Sequence, residues 1–265
     1  MNDPSHPPHV LDALRAHARA AASNAHAPYS GHSVGAAVLL ADGQWIPGVR
    51  VESASYPLTI SALLGAFVTA VASGRTDIRA VTISRDFYPG EAAWLTDALH
   101  APVTLETSDT LAFGADPLPE VGTRLDPFIQ TTSPGSDEAG VRLAQRAAER
   151  AHVPESNFRV GCALVTDDGR VLFGCNVEFG EWTRGLCAER TALAAATAYG
   201  VGAIERLYLS CPADPQGTPC GACRQLLAEQ AADLSIVMDR GDAPAEGTTP
   251  AALLPNFFTG APLRL

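Results

Sequence analysis

Hydrophobic residues follow the same order twice along the chain. In each half, a segment with helical spacing precedes two short apolar strands separated by an Asp-Gly turn, and a mostly apolar helix and a strand rich in branched residues follow. The predicted helices are about 10–25, 61–73, 138–151, 187–199 and 221–231, and the predicted strands are 34–40, 45–51, 78–84, 160–166, 171–177, 204–210 and 234–238. Helices that alternate with strands in this way predict an α/β fold of two or three layers around a mixed sheet.

The two halves also match residue by residue at an offset of 126 positions, the separation of Val34 from Val160. The matching pairs include Val34-Gly35 with Val160-Gly161, Asp42-Gly43 with Asp168-Gly169, and Val51-Glu52 with Val177-Glu178. Turn glycines are among the matches, so chance similarity in an alanine-rich chain is a poor explanation. Between the halves, residues 131–137 have the Pro, Gly and polar content of a linker. We therefore predict two related units, at 1–132 and 137–265.

The composition is that of a globular protein and excludes several classes of partner. Of 265 residues, 46% are hydrophobic and 18% are charged, which is enough apolar content to bury a core. With 18 Lys and Arg against 29 Asp and Glu, the net charge of −11 disfavours binding to nucleic acid. No stretch reaches the ~20 apolar residues that span a bilayer, and residues 1–8 lack the pattern of a secretion signal. We expect a cytoplasmic protein with no membrane contact.

All six cysteines lie between Cys162 and Cys223, and three of them have the spacing of a metal site. In a reducing compartment, free thiols and metal ligands are favoured over disulfides. Cys220 and Cys223 are separated by two residues at a predicted helix start, and Cys187 stands at another. Three thiolates at helix N-termini can hold one tetrahedral zinc and leave a fourth position open to water, which is typical of a catalytic zinc site. Buried thiols, or a structural zinc with an unidentified fourth ligand, are the alternatives.

Glu189 follows Cys187 by two residues on the same predicted helix, where it is not needed as a ligand. A carboxylate in that place can take a proton from the water and pass it on, which is general acid/base catalysis. Zinc nucleobase deaminases combine a three-cysteine site, a non-ligand Glu and a Pro-Cys-x-x-Cys pair, and here Pro219 precedes Cys220. A solvated carboxylate favoured by the helix dipole is the alternative.

The sequence resembles the cytidine deaminase family of nucleoside-salvage enzymes over almost its whole length. In the second half the matching segments are Phe158–Gly161, Gly174–Glu178, Cys187–Ala192, Pro219–Gln225 and Leu253–Pro255, and in the first half they are Ala27–Gly31 and Glu52–Tyr56. The resemblance implies two tandem α/β/α sandwich units around mixed sheets. It also implies zinc-dependent hydrolytic deamination of cytidine and 2′-deoxycytidine to uridine and 2′-deoxyuridine, with release of ammonia, in pyrimidine salvage.

The resemblance assigns the metal ligands and the proton carrier. Cys187, Cys220 and Cys223 would hold one Zn²⁺ per chain. Glu189 would move protons between the attacking water, ring N3 and the leaving amine. Arg190 would hydrogen-bond the ligand thiolates and restore part of the electrophilicity that three negative sulfurs remove from the metal.

The resemblance also assigns contacts to a nucleoside substrate. Phe158 would pack against the pyrimidine, Asn176 and Glu178 would bind ribose hydroxyls, and Val177 and Ala188 would complete the contact set. An amide and a carboxylate two positions apart at a strand end point the same way, which suits binding of a sugar hydroxyl. Plain structural roles are the alternative for these side chains. Because four related units are common in the family, two chains would form a homodimer.

The first unit lacks the metal motif. At the same offset, Ser61, Leu63, Trp94 and Asp97 stand where the second unit has Cys187, Glu189, Cys220 and Cys223. Leu63 and Trp94 are apolar groups suited to filling the space of a metal. We therefore expect residues 1–132 to form a degenerate, non-catalytic domain and residues 137–265 to form the catalytic one.

The two units also differ in the loop that follows the second strand. The first unit keeps the family's pattern at Ser53, Ala54 and Tyr56, whereas residues 179–184 of the second unit depart from it. We hypothesise that the retained loop completes the catalytic pocket, within the chain or across a dimer. Two alternatives stay open. The chain could deaminate a modified or antibiotic cytosine nucleoside, which the altered loop suggests, or it could be a non-catalytic assembly module stabilised by zinc.

Overall fold

Residues 6–91, 93–99 and 103–263 are described by the computed structural model, and they form two α/β units. The elements of the first unit are α1 (Pro8–Ala21), β1 (Gly35–Leu40), β2 (Trp45–Val49), α2 (Ala62–Ala72), β3 (Ile78–Ile83), α3 (Ala93–Leu99), β4 (Val103–Thr107) and β5 (Thr110–Phe113). Their strands form one sheet in the order β2-β1-β3-β5-β4, and neighbouring strands are antiparallel.

The second unit contains the mixed sheet that the sequence predicts. Its elements are β6 (Phe128–Gln130), α4 (Asp137–Ala148), β7 (Gly161–Thr166), β8 (Val171–Cys175), α5 (Ala188–Ala198), β9 (Ile204–Ser210), α6 (Gly221–Ala231), β10 (Ser235–Arg240), β11 (Ala243–Thr248) and α7 (Pro250–Leu253). The strand order is β11-β10-β9-β7-β8-β6. β9 and β10 are parallel because α6 carries the chain back between them. In the first unit the hairpin β4–β5 follows α3, and β5 returns antiparallel beside β3.

Strand β6 joins a sheet that its place in the sequence does not indicate. Residues 128–130 fall within the first predicted unit, but Phe128 pairs with Leu172 and Gln130 with Val171 of β8. The chain thus adds an edge strand to the second sheet before it enters α4. The unit boundaries at 132 and 137 stay a prediction.

Helices cover both faces of each sheet, which confirms the sandwich architecture. α1 and α4 pack on the outer faces, whereas α2 and α5 pack on the inner faces and against each other. In β1, Val38 and Leu40 join the core shared by both units, and Ala37 and Leu39 join the core under α1. Burial of both faces explains why this strand is apolar throughout. None of the described helices is long and apolar enough to cross a membrane.

A glycine on β8 sets the position of α5. A Cβ on Gly174 would lie 2.1 Å from the carbonyl oxygen of Ala188 and 2.8 Å from the Cβ of Ala192. Contacts this short leave no room for a side chain, so the first turn of α5 rests directly on the backbone of the strand. This turn begins immediately after Cys187.

Candidate metal centre and active site

Three thiols meet where two helices begin. Cys187 is the N-cap residue of α5, Cys220 is the N-cap residue of α6, and Cys223 lies in the first turn of α6. The Sγ atoms of Cys187 and Cys220 are 3.6 Å apart, as are those of Cys220 and Cys223, and all three lie within 4.8 Å of one another. In a tetrahedral site with Zn–S bonds of about 2.3 Å, neighbouring sulfurs are about 3.8 Å apart. This donor set therefore fits zinc.

Hydrogen bonding favours the thiolate form of Cys220. Its pKa is lowered by hydrogen bonds with the side chains of Cys187 and Cys223, and further by the backbone amides of Cys223 and Ala222. The hydrogen bond with Cys220 raises the pKa of Cys187 to about 12, and bonds with the other two thiols raise the pKa of Cys223. The helix N-termini add a favourable potential for a negative sulfur. Binding of a divalent cation would stabilise the two further thiolates.

Glu189 is the buried carboxyl group beside the thiols. It is the second residue of α5, and only 3% of its surface is exposed. Burial raises the pKa of Glu189 to about 7, although hydrogen bonds with its own backbone amide and with the Cys223 side chain partly oppose the rise. A carboxyl group in this place can hold or release a proton within the site.

Cys187, Cys220 and Glu189 border one pocket with a volume of about 520 Å³, which is within the usual range for small-molecule sites, roughly 300–1,000 Å³. The predicted site residues that line the pocket are Phe158, Asn176, Val177, Glu178, Cys187, Glu189 and Cys220. Ala188 and Cys223 are fully buried and are not part of the lining. The structure thus brings most of the predicted site residues to one place.

Asn176 and Glu178 are held in place by the segment that precedes β7. The Asn176 Oδ1 accepts a hydrogen bond from the Val160 amide at 2.8 Å, and its Nδ2 donates to the Phe158 carbonyl oxygen at 2.8 Å. The Glu178 carboxylate accepts hydrogen bonds from the Ser156 hydroxyl at 2.5 Å and the Ser156 amide at 3.0 Å. Both polar groups are therefore fixed at the pocket wall, and each keeps hydrogen-bonding capacity for a ligand.

Comparison with known proteins gives the family. Models described as the cytidine and deoxycytidylate deaminase zinc-binding region match residues 134–238 and residues 2–84. Curated cytidine deaminases from Sporosarcina psychrophila and Mycobacterium tuberculosis are 38% and 40% identical over 117 and 118 residues, which are 44% and 43% of this chain and 86% and 84% of those proteins. The crystal structure of cytidine deaminase from Burkholderia pseudomallei is 39% identical with a TM-score of 0.45, covering 46% of this chain and 99% of that chain. This chain belongs to the cytidine deaminase family.

Arg190 makes a contact that sequence analysis does not predict. Its Nη2 donates a hydrogen bond to the carbonyl oxygen of Leu58 in the first unit at 3.1 Å, and its Nε is buried without a hydrogen-bond partner in the described part of the chain. Packing of α5 against the first unit brings the Leu58 carbonyl oxygen within reach of the guanidinium. The expected hydrogen bond from Arg190 to the ligand thiolates stays a prediction.

One wall of the pocket comes from residues that sequence analysis missed. The segment between β9 and α6 contributes Cys211, Asp214, Gln216, Gly217 and Thr218. Cys211 is not among the predicted site residues, but it borders the pocket, and burial raises its pKa to about 12. The sequence contains one signal that could have identified this segment as part of the site: it directly precedes Pro219-Cys220, which belongs to the predicted metal motif.

The first unit has the same local structure without the ligands. Ser61 caps α2 by accepting a hydrogen bond from the Leu64 amide at 3.2 Å, at the place where Cys187 caps α5. Leu63 and Trp94 are buried in the core shared by both units. The side chain of Asp97 lies outside the described residues. Among the described side chains, the three cysteines form the only group of His, Cys, Asp and Glu that meets the geometry of a metal site.

The retained loop of the first unit contacts the second unit away from the pocket. The Ser53 hydroxyl and the Ala54 amide each donate to the Glu229 carboxylate on α6 at 2.8 Å. Tyr56 is 84% exposed. None of these three loop residues lines the pocket of its own chain.

Cys223→Ser is expected to abolish stable zinc binding, because two thiolates and a hydroxyl form a much weaker donor set than three thiolates. Metal analysis of purified protein after dialysis measures the effect, with about one zinc per chain expected for the unsubstituted protein. Cys211→Ser is the matched control, since Cys211 borders the same pocket but is outside the three-sulfur group, and it should retain zinc. Equal zinc content in the two variants would contradict the assignment.

Proposed function

We propose that this chain is a zinc-dependent cytidine deaminase of pyrimidine salvage in the cytoplasm. It hydrolyses cytidine and 2′-deoxycytidine to uridine and 2′-deoxyuridine and releases ammonia. One observation carries the proposal: three thiol sulfurs with zinc-like spacing lie beside a buried carboxyl group, Glu189, at the wall of a pocket sized for a nucleoside. Family membership supports it, because the curated relatives at 38% and 40% identity are cytidine deaminases.

Cys187, Cys220 and Cys223 would hold the zinc ion. Zinc in such a site supplies Lewis acidity and the activation of water as a nucleophile at neutral pH. Glu189 receives the proton of the attacking water and donates it to ring N3 of the cytosine. Glu189 then takes the proton of the new C4 hydroxyl group and donates it to the exocyclic amino group. The C4–N bond breaks, ammonia leaves, and the product has a C4=O carbonyl and the first proton on N3.

Three further residues of the pocket lining orient the nucleoside. Asn176 and Glu178 are fixed by backbone contacts and present their free donor and acceptor positions to the ribose hydroxyls. Phe158 lines the same pocket and is 39% exposed, so its ring is available to pack against the pyrimidine. Holding C4 of the base next to Glu189 converts the reaction into an intramolecular one.

The charge of the pocket favours a nucleoside over a nucleotide. Its lining contains three carboxyl groups, those of Glu178, Glu189 and Asp214, and no Lys or Arg among the described residues. A 5′-phosphate would enter this pocket without a cation to pair with, and Asp214 would repel it. A free 5′-hydroxyl carries no such cost.

Two alternatives differ in how well the structure supports them. The altered loop places Trp182 at the pocket, and this favours a modified cytosine nucleoside as a second candidate substrate, since a different wall shape admits different substituents. A non-catalytic assembly module needs neither a pocket nor a buried non-ligand carboxyl group beside the metal site. Activity on cytidine separates the three cases.

We further propose that the protein is a homodimer in which Tyr56 reaches the pocket of the other chain. Tyr56, Trp182 and Phe258 are large apolar side chains that are 84%, 63% and 52% exposed. Aromatic side chains with this exposure are typical of protein interfaces.

Glu189→Gln is expected to lower kcat for cytidine by about 10²–10⁴-fold, because an amide cannot carry the proton. Ammonia release measures turnover, and metal analysis of the same sample should show unchanged zinc. Glu205→Gln is the control, since Glu205 is exposed on β9 and outside the pocket. A fully active Glu189→Gln variant would contradict the mechanism, and zinc-loaded protein without activity on any cytosine nucleoside would favour the assembly module.

Cytidine is expected to be a better substrate than cytidine 5′-monophosphate by at least about 100-fold in kcat/KM, equivalent to about 2.7 kcal/mol of repulsion. Asp214→Asn should raise kcat/KM for cytidine 5′-monophosphate and leave kcat/KM for cytidine nearly unchanged, so that the preference for cytidine becomes smaller. The variant keeps the local turn, because the Oδ1 that accepts from the Gln216 amide at 3.0 Å remains an acceptor. Equal use of the two substrates by the unsubstituted protein would overturn the assignment of a nucleoside.

Sedimentation velocity is expected to give a dimer, and Tyr56→Ala is expected to lower kcat/KM for cytidine by about tenfold or more through loss of a packed aromatic contact. Tyr88→Ala is the matched control, because Tyr88 is also exposed on the first unit, at 64%, but packs under Arg85 away from the pocket. A fully active monomer would refute the shared pocket.

A further inference from the structure

The altered loop of the second unit has two aromatic residues in different environments. The altered residues 179–184 lie in a loop that spans 178–185. Val177 and Leu186 close the base of this loop, because their backbones exchange two hydrogen bonds of 2.9 Å. Trp182 is 63% exposed and lines the substrate pocket, whereas Phe179 is 5% exposed. Phe179 is therefore the buried part of the loop, and Trp182 is the part that borders the substrate pocket.

Phe179 is buried against the first unit. Its ring centroid lies 4.9 Å from that of Trp94 in a T-shaped arrangement and 5.5 Å from that of Phe67. The rings of Phe67 and Trp94 are also in contact, with centroids 5.5 Å apart. These three side chains, which we call the aromatic socket, join α2 and α3 of the first unit to the loop of the second. T-shaped and tilted pairs at these distances are mutually stabilising.

The aromatic socket occupies the first unit's counterpart of the metal centre. Trp94 lies 126 positions before Cys220. Trp94 lies in the first turn of α3, and Cys220 and Cys223 lie at the start of α6. By sequence offset and place near a helix start, Trp94 thus corresponds to the candidate metal ligand Cys220, and Phe179 packs against it.

Between Phe179 and Gly185, the loop bonds to itself. Glu181 accepts hydrogen bonds from the Thr183 amide and hydroxyl and forms an ion pair with Arg184 at 3.2 Å. Residues 180–184 are exposed. Among the described contacts, the loop is held by the backbone pair of Val177 and Leu186, by the hydrogen bonds of Glu178, and by Phe179 in the aromatic socket. Phe179 is the anchor that lies nearest to the exposed stretch 180–184 on its N-terminal side.

The corresponding loop of the first unit docks in the reciprocal direction. At the same offset, Ser53 corresponds to Phe179 and Tyr56 to Trp182. Ser53 donates to Glu229 on α6 of the second unit at 2.8 Å. Each loop thus reaches the third helix of the other unit, one by hydrogen bonding and one by aromatic packing.

We propose that Trp94 and Phe67 are positioning residues for the substrate pocket: through Phe179 they fix the 178–185 loop and thereby hold Trp182 at the pocket wall. The substrate part of the inference rests on the proposed cytidine deaminase function, whereas the anchoring part does not. The first unit, which lacks the metal group, then contributes to substrate binding by using its altered centre as a support.

Trp94→Leu and Phe179→Leu test the proposal, since both keep apolar bulk but remove a ring. The first readout is native-state cleavage by trypsin after Arg184 in the exposed loop, followed by mass spectrometry. We expect cleavage at least about tenfold faster in both variants, because a loop that has lost its anchor opens more often. Trp94→Phe, which retains an aromatic ring, should restore most of the protection.

The second readout separates binding from chemistry. KM for cytidine should rise about tenfold with kcat changed less than about threefold, as expected when substrate and transition state lose the same contact. In a Trp182→Ala background, Trp94→Leu should have little further effect on KM, because the two residues act in series. Trp45→Leu is the matched control: Trp45 is a buried first-unit tryptophan in the core under α1, and its loss should change neither the cleavage rate nor KM.

The outcomes distinguish this inference from the proposed function. Unchanged cleavage in a folded, zinc-containing Phe179→Leu protein would overturn the anchoring, and faster cleavage with unchanged KM would overturn the role in the pocket. An additive effect of Trp94→Leu in the Trp182→Ala background would also overturn it. Faster cleavage in a protein that does not act on cytidine would support the anchoring and contradict the proposed function alone.

Discussion

The packing of α5 between its own sheet and α2 is the constraint on which the rest of the structure depends. The buried side chains of this helix are mostly alanines, including Ala192, Ala194, Ala195, Ala196 and Ala198, and small side chains let a helix approach two layers at once. Gly174 allows the strand backbone to contact the first turn of the helix. Cys187 directly precedes that turn and Glu189 lies within it, so one packing arrangement positions both a candidate metal ligand and the carboxyl group proposed to carry the proton.

The repeated part of the fold could be predicted from sequence, and so could the three thiols. Apolar periodicity and the offset of 126 positions locate the shared helices and strands within a few residues, and the spacing of Cys220 and Cys223 indicates their chemistry directly. Elements outside the closely matching segments of the repeat were missed. The α3 helix has only seven residues, and the first three residues of β4 are exposed or half-exposed. Neither segment therefore has the apolar periodicity that identifies an element.

Contacts between the units lay beyond sequence analysis for a different reason. The bond from Arg190 to Leu58 and the packing of Phe179 on Trp94 depend on how two folded units lie together. An internal repeat shows which residues correspond, but corresponding residues do not contact one another for that reason alone. The role of Glu178 shows the same limit: Glu52 in the first unit accepts hydrogen bonds from the Tyr29 amide, at 3.0 Å, and from Ser30. Since that unit has no metal group among its described residues, holding the preceding turn is a role of this glutamate that is independent of any substrate.

Among the described contacts, the first unit influences the candidate site through the position of Arg190. Three thiolates with a divalent cation carry a net charge of −1, and Glu178 and Asp214 add negative charge to the pocket. Arg190, next to Glu189 in the sequence, is a nearby cation that opposes this charge, and it partly lowers the pKa of Glu189. Its guanidinium is held by the Leu58 carbonyl of the first unit, at 3.1 Å. Because a Coulomb interaction depends on distance and on burial, a unit that fixes the place of Arg190 also sets how strongly that cation lowers the pKa of Glu189.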